Sequence, residues 1–281
     1  MFGRKPVAVV LGAGPAGLLA AHAAERRGWE VNIFTAPNPD GSPRKSELHG
    51  CQYLHAYIPG VGLPTSGRAV QYLLDGSSTD YRRKVYGDSW TGEVSPDEYG
   101  PEEEHLAWDL RVAYDRLWER WLPRISAINL IPSLAASMAE VRGQTVFCTV
   151  PAPALCLVPD KHTFATQSIW AMGTNGGVGM EWPDGLLVQK LPYRAPDFTV
   201  QCNGHDAPRW YRAATVFGQS TLEWPAGVKP PISGVVRVEK PLSTDCHCHV
   251  GQRWHRLGRY GQWRKGVLVH SAFRQASEAL K

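Results

Sequence analysis

No apolar run in this 281-residue sequence is long enough to cross a membrane. Charge of one sign is also scarce. Thirty Lys and Arg against 26 Asp and Glu leave +4, too small and too dispersed to indicate nucleic acid. No internal repeat argues for a solenoid or propeller. No Gly-x-Ser-x-Gly nucleophile elbow supports Ser/His/Asp catalysis. The turn-rich Gly173-Thr174-Asn175-Gly176-Gly177 lacks the Lys of a phosphate-binding P-loop. The six cysteines (Cys51, Cys148, Cys156, Cys202, Cys246 and Cys248) are too scattered for a disulfide framework, so reduced thiols and a cytoplasmic location are expected. Arg4 and Lys5 before an Ala/Leu-rich stretch imitate a secretory signal. A glycine turn cuts the apolar run after five residues, and His22, Glu25, Arg26 and Arg27 follow, so no signal is expected.

What is present is concentrated at the start. Val7-Ala8-Val9-Val10-Leu11 reads as a buried parallel strand, and it breaks on Gly12-Ala13-Gly14-Pro15-Ala16-Gly17. An Ala/Leu-rich helix and a second apolar strand, 31–34, follow. In this strand–turn–helix–strand order the glycines have separate tasks. Gly12 permits the tight turn, Gly14 lets backbone approach a pyrophosphate, and Gly17 lets helix and strand pack closely. The helix N-terminus then faces the anion. An NAD-binding unit usually carries an acid after the second strand, where Thr35 stands here. Arg44, Lys45 and Ser46 could hold a 2′-phosphate, reach the pyrophosphate of FAD, or form a solvated basic loop.

Further along, His49–Gly60 is an aromatic loop suited either to lining a flat ring system or to serving as a buried connector. Composition predicts a short helix over 67–74 and a short strand over 81–86. It also predicts a helix opened by Pro101 with Glu102, Glu103 and Glu104 in its first turn. Leu106, Leu110, Ala113, Leu117 and Trp121 form its core stripe, and Pro123 ends it. A second helix is expected over 133–141 and a strand over 144–150, then short strands at 185–191, 198–202, 210–217 and 234–239. The tail closes with a helix over 266–280.

Two further segments carry a family resemblance. Thr149-Val150-Pro151, preceded by an apolar strand, resembles the strand-then-Thr-x-Pro element of amine-oxidase-like and UDP-galactopyranose-mutase-like flavoproteins. Leu257-Gly258-Arg259-Tyr260-Gly261 resembles the C-terminal Gly-Arg segment of the same superfamily. The resemblance implies an α/β fold: a Rossmann-like FAD-binding domain with a parallel sheet, plus an inserted, mostly antiparallel sheet and helical region for substrate. It places the FAD domain in 1–60, 144–157 and 250–281, a helical insertion in 61–143, and the antiparallel region in 158–249. It implies FAD contacts from Gly12, Ala13, Gly14, Pro15, Ala16, Gly17, Thr35, Arg44, Gly258, Arg259 and Leu268, with a small-molecule substrate. Two departures stand out: the acid after the second strand is missing, and Gly41 and Gly50 stand singly where the family has a Gly-Gly pair.

The activity this implies is oxidation of a C–N or C–H bond of a small or nucleotide-like substrate. The alternatives are a non-redox mutase-type enzyme, an NADP-dependent reductase and a non-catalytic nucleotide-binding protein. His55, His205, His247 and Lys161 are candidate general bases among which the sequence does not choose. Cys202, His205, Cys246 and Cys248 could supply four metal ligands, but Cys-x-Cys is tighter than usual zinc spacing. Alternatively, His247 or His249 could lie at the flavin face, since nine residues separate His249 from the Gly-Arg segment. The expectation is that Cys246-His247-Cys248-His249 is an alternating strand with one face buried, and no metal is assigned.

Overall fold

Five parallel strands form the first layer of the chain. The computed structural model describes residues 5–48, 51–86, 104–130, 132–140, 144–175, 194–228, 230, 234–248 and 253–281. The elements run β1 (Val7–Leu11), α1 (Pro15–Arg26), β2 (Glu30–Thr35), β3 (Tyr53–Leu54), β4 (Arg68–Asp75) and α2 (Ser78–Tyr86). Next come β5 (Glu104–Asp109), α3 (Leu110–Trp121), β6 (Ile125–Ala127), α4 (Pro132–Glu140) and β7 (Gln144–Cys148). The remainder is β8 (Phe164–Asn175), β9 (Thr199–Asn203), β10 (Arg212–Val216), β11 (Gln219–Pro225), β12 (Val236–Thr244), β13 (Trp254–Arg256), α5 (Gly258–Gln262) and α6 (Ser271–Ala279).

The parallel sheet has the order β13-β7-β1-β2-β6, with Val9 facing Asn32 on one side and Val146 on the other. Its central strand is apolar because both faces are covered. On one face α1 buries Leu18 and Leu19 in a cluster shared with Leu110, Tyr114, Leu117 and Trp121 of α3 and Ala272 and Ala276 of α6. Burying each Leu stabilises the fold by about 1.5–3 kcal/mol. The second sheet has the order β12-β8-β11-β10-β9-β4-β5-β3 and is antiparallel except where β4 runs alongside β9. The expected α/β class, with a parallel sheet and a mostly antiparallel companion, is what is found.

Local expectations fared unevenly. The strand predicted over 81–86 is the helix α2, started where the Ser77 hydroxyl accepts from the Asp80 amide. The helix predicted over 67–74 is the strand β4, held between β5 and β9. The helix expected from Pro101 begins only at Leu110, because Asp109 caps it by accepting from the Arg111 and Val112 amides at 2.8 and 3.2 Å. Glu104 and Leu106 belong to β5, and Leu106 is exposed; Pro101, Glu102 and Glu103 lie outside the described residues. The tail helix starts at Ser271 rather than 266, since Gly266 has φ +76° and the chain turns there. The strand expected at 185–191 also lies outside the described residues. Segment 61–143, expected to be helical, supplies β4 and β5 to the large sheet and β6 to the parallel one.

A charged group is buried in the large sheet. Glu223 on β11 accepts from Arg212 at 2.6 Å, from Lys240 at 3.0 Å and from the Tyr211 hydroxyl. Burial opposes its ionisation, but Arg212 and Lys240 outweigh burial and hold the carboxyl at about 2, below its ordinary 4.5. Glu223 therefore stabilises the fold fully above the ordinary value, and that contribution is lost as pH falls toward 2. Glu223→Gln should cost about 3 kcal/mol in urea denaturation at neutral pH, because two half-buried cations lose a buried counter-charge. The loss should shrink as the measurement moves into acid. Equal stability of variant and wild type at pH 7 would disprove the assignment.

Candidate functional site

The carboxyl ends of β1 and β7 are where three separated segments of the chain converge. Gly12 leaves β1 with φ +97°, and a Cβ there would sit 2.6 Å from the Thr149 hydroxyl. That hydroxyl donates to the carbonyls of Leu11 and Gly12, both at 3.1 Å, locking the Thr-x-Pro segment under the glycine turn. A Cβ on Gly17 would collide with the Gly12 carbonyl. From the other end of the chain, the Leu257 amide donates to Cys148 O at 2.8 Å. Gly258 then turns with φ +70° against Ala16, where a Cβ would approach Ala16 Cβ to 2.7 Å. Gly261 lies directly on the Cys148 carbonyl. The glycine turn, Thr149-x-Pro151 and Gly258-x-x-Gly261 are thus neighbours, although 137 residues separate Thr149 from Gly12.

The corner suits an anion. Helix α1 has Gly14 as its cap with no side-chain hydrogen bond and no acid in its first turn. The first amide to bond back is that of Leu18, to Gly14 O at 3.0 Å, so the amides ahead of it have no partner in the helix. Ser46 passes over Gly14, its hydroxyl 3.3 Å from where a Cβ would stand. Tyr114 holds that loop: its hydroxyl donates to Ala13 O at 3.0 Å and accepts from the Ser46 amide at 3.0 Å.

Other expected contacts fall around this corner with differing orientations. Thr35 is buried and donates to the Arg44 carbonyl at 3.2 Å, fastening the loop after β2. The Arg44 side chain is exposed, whereas Lys45 pairs with Asp115 at 2.7 Å over the rings of Tyr114 and Trp118. Arg259 points to the large sheet and donates to Pro241 O at 3.0 and 3.3 Å. Tyr260 likewise donates to Glu239 O, and the Lys265 amide donates to Leu242 O. Helix α5 is therefore the hinge plate between the two sheets. Leu268 sits in the turn before α6 and is 39% exposed.

An apolar cavity of about 360 Å³ opens beside α3, lined by Leu54, Tyr57, Ile58, Trp108, Phe198 and Phe217, with Arg68 and Arg116 at its edge. Leu54, Tyr57 and Ile58 of the aromatic loop are on its wall, while His49 and Gly50 lie outside the described residues. Phe217 has φ +51° in the two-residue turn between β10 and β11, and Phe198 has φ +55°. The two rings meet edge to face at 5.4 Å. Left-handed backbone is costly for Phe, and it is retained where both rings form a cavity wall. A larger, polar cleft of about 760 Å³ near Lys5 and Trp29 lies at the amino end of the parallel strands, away from the glycine turn.

Of the candidate bases, His55 has the most organised surroundings. It stacks on Tyr53 at 4.5 Å and lies 5.9 Å from His270 and 6.4 Å from His105. Burial, then the neighbouring His270 and His105, lower it to about 4. Tyr53 in turn hydrogen-bonds Tyr72. His105 and His270 carry no local signal that groups them with His55, since loop, strand and tail are brought together only by folding. His205 pairs instead with Asp75 at 2.9 Å, and His247 and Lys161 are exposed. Cys202 is buried on β9 beside Tyr81 and does not meet Cys246 or Cys248.

These two layers define the class: a Rossmann-like α/β fold with a second, mostly antiparallel sheet. The chain is similar in structure to a triple mutant of the flavin-dependent brominase Bmp2. Identity is 11% and the TM-score 0.53, over 99% of this chain and 80% of that one. It is also similar to 2,6-dihydroxypyridine-3-hydroxylase from Arthrobacter nicotinovorans, at 12% identity and TM-score 0.51 over 98% and 82%. It spans 65% of the length of QhpG, a peptidyl tryptophan dihydroxylase, at 16% identity and TM-score 0.46 over 99% of this chain. No protein-family model and no curated protein matches the sequence. No helix among the described residues is long and apolar enough to cross a membrane.

The His55 environment makes a direct prediction. In a two-dimensional NMR titration its ring resonances should move with a midpoint near pH 4, leaving it neutral through the physiological range. A midpoint at or above the ordinary imidazole value would show that the cluster is solvated.

Proposed function

We propose that the chain is an FAD-dependent oxidoreductase acting on a C–H or C–N bond of a small, largely apolar aromatic substrate. The observation that carries the reading is the convergence of Gly12–Gly17, Thr149-x-Pro151 and Gly258–Gly261 on one corner of the parallel sheet. A simple nicotinamide-binding unit has no need of the last of these. The resemblance to amine-oxidase-like flavoproteins implies that pairing of the first and last segments. The flavin-dependent brominase and the pyridine hydroxylase share the two-sheet fold and support flavin chemistry at an aromatic substrate.

In this reading the amides at the start of α1 and the Ser46 hydroxyl receive the pyrophosphate. Gly12, Ala13, Pro15, Ala16 and Gly17 shape that turn; Thr35, Arg44 and Leu268 complete the cofactor's surroundings. Gly258 and Arg259 close the site toward the large sheet. FAD, when bound, supplies a two-electron acceptor. Tyr57, Trp108, Phe198 and Phe217 exclude water and hold a one- or two-ring substrate, with Arg68 or Arg116 available to a polar substituent. Proton acceptance is assigned to His55, which is neutral near pH 7 and follows the cavity-lining Leu54 in the chain.

The purified protein should be yellow, and heat denaturation should release FAD. Gly14→Val, which sets a branched side chain against Ser46, should weaken FAD binding by about 100-fold or more, or about 2.8 kcal/mol, while circular dichroism stays unchanged. A colourless protein whose melting temperature FAD does not raise would sink the proposal. Anaerobic bleaching by a nicotinamide would place it with the hydroxylases; bleaching by an amine would place it with the amine oxidases.

A further inference from the structure

Three cysteines and a histidine from separated segments meet at the free end of the large sheet. Cys156 ends the short 3₁₀ turn Ala152–Leu155 after β7, and His162 ends the next one, Pro159–Lys161. Cys246 and Cys248 follow β12. The pairing of β12 with β8 brings these loops together: Thr244 lies opposite Phe164, its hydroxyl donates to Thr163 O at 2.8 Å, and the Thr163 amide donates to Asp245 at 2.7 Å. The four ligand atoms all lie within 4.8 Å of one another.

We infer that Cys156, His162, Cys246 and Cys248 form a structural zinc site. The spacing carries the inference. With Zn–S of about 2.3 Å and Zn–N of about 2.0–2.1 Å, a tetrahedral site has S···S edges of about 3.8 Å and S···N edges of about 3.6 Å. Here Cys156 Sγ is 3.8 Å from Cys248 Sγ and 3.6 Å from Cys246 Sγ, and Cys248 Sγ is 3.6 Å from His162 Nε2. A disulfide would bring two of the sulfurs to about 2.05 Å.

The groups behind the ligands fit a metal as well. Three thiolates around a divalent ion leave one negative charge, and the Arg256 guanidinium faces it. It donates to Cys246 Sγ at 3.2 Å and to the carbonyls of Cys246 and Cys248 at 2.9 and 2.7 Å. The other ring nitrogen of His162 faces Asp245 at 3.6 Å, which directs Nε2 toward the sulfurs. Cys156 and Cys246 are buried, and four protein ligands leave no open position, so the ion is structural rather than catalytic. It fastens the turns after β7 to the segment that follows β12. The Cys202–His205 half of the set offered by spacing has no place in it, whereas Cys246 and Cys248 do.

The 281-residue chain, purified without chelator under reducing conditions, should contain about one zinc per chain by mass spectrometry of the metal. X-ray absorption at the zinc edge should give three sulfurs at about 2.3 Å and one nitrogen at about 2.0 Å. Cys246→Ser and Cys248→Ser should lose most of the zinc, while Cys202→Ser and His205→Ala should keep it. The absorption measurement uses wild-type protein and so stands even where a cysteine variant fails to fold. The proposal is overturned by a reduced chain that holds no zinc and takes up none when offered Zn²⁺. A shell of light atoms only, a Cys156–Cys246 disulfide in protein isolated with thiols blocked, or equal zinc loss from Cys202→Ser would each overturn it too.

Discussion

Backbone must pass against backbone at the carboxyl end of β1, and the arrangement of the whole chain depends on it. Gly17 lies on the Gly12 carbonyl, Gly258 on Ala16, and Gly261 on the Cys148 carbonyl. Side chains at these positions would push α1 off the sheet or the tail off the corner, because protein interiors lack the free volume to absorb a misplaced methyl group. Close approach also leaves the first amides of α1 directed at the opening, with no side chain capping them. The same contact that packs the tail therefore shapes the corner at which the pyrophosphate is proposed to sit.

From this corner the connection to the second sheet runs through α5. Arg259 and Tyr260 bond to the carbonyls of Pro241 and Glu239, so β12 is registered against the parallel sheet by the tail. The proposed zinc site would hold the turns after β7 to the segment that follows β12, and the Glu223 network fixes β10, β11 and β12 relative to each other. The aromatic cavity is built where β5, α3 and the β10–β11 turn come together, and its two left-handed Phe residues are sustained by the rigidity of those elements.

Legibility tracked the range of the interactions involved. β1, the glycine turn and α1 are adjacent in sequence and depend on local rules: β1 spans the residues expected of it, and an Ala/Leu-rich helix follows the turn. Segment 68–75 carries Val70, Tyr72 and Leu73 in a pattern that suits either element. Only pairing with β5 and β9 makes it a strand. The polar stretch Ser78–Tyr86 became a helix because Tyr81 buries its ring beside Tyr211, a contact 130 residues away. Asp109 outcompeted Pro101 as the start of α3, since a side-chain acceptor satisfies amides that an N-terminal proline cannot.

The sequence by itself determined the class of fold, the glycine turn and the three short segments that meet at its corner. Each is a short pattern whose physics lies in its own backbone. Only the tertiary structure decided which side chains share a site. It joined His55 to His270, turned Arg259 toward Pro241, and gave Cys246 and Cys248 the partners Cys156 and His162 rather than Cys202 and His205. The reason is that such groupings are set by strand order and register across sheets, which bring together residues about 90 positions apart without leaving a periodic trace in the chain.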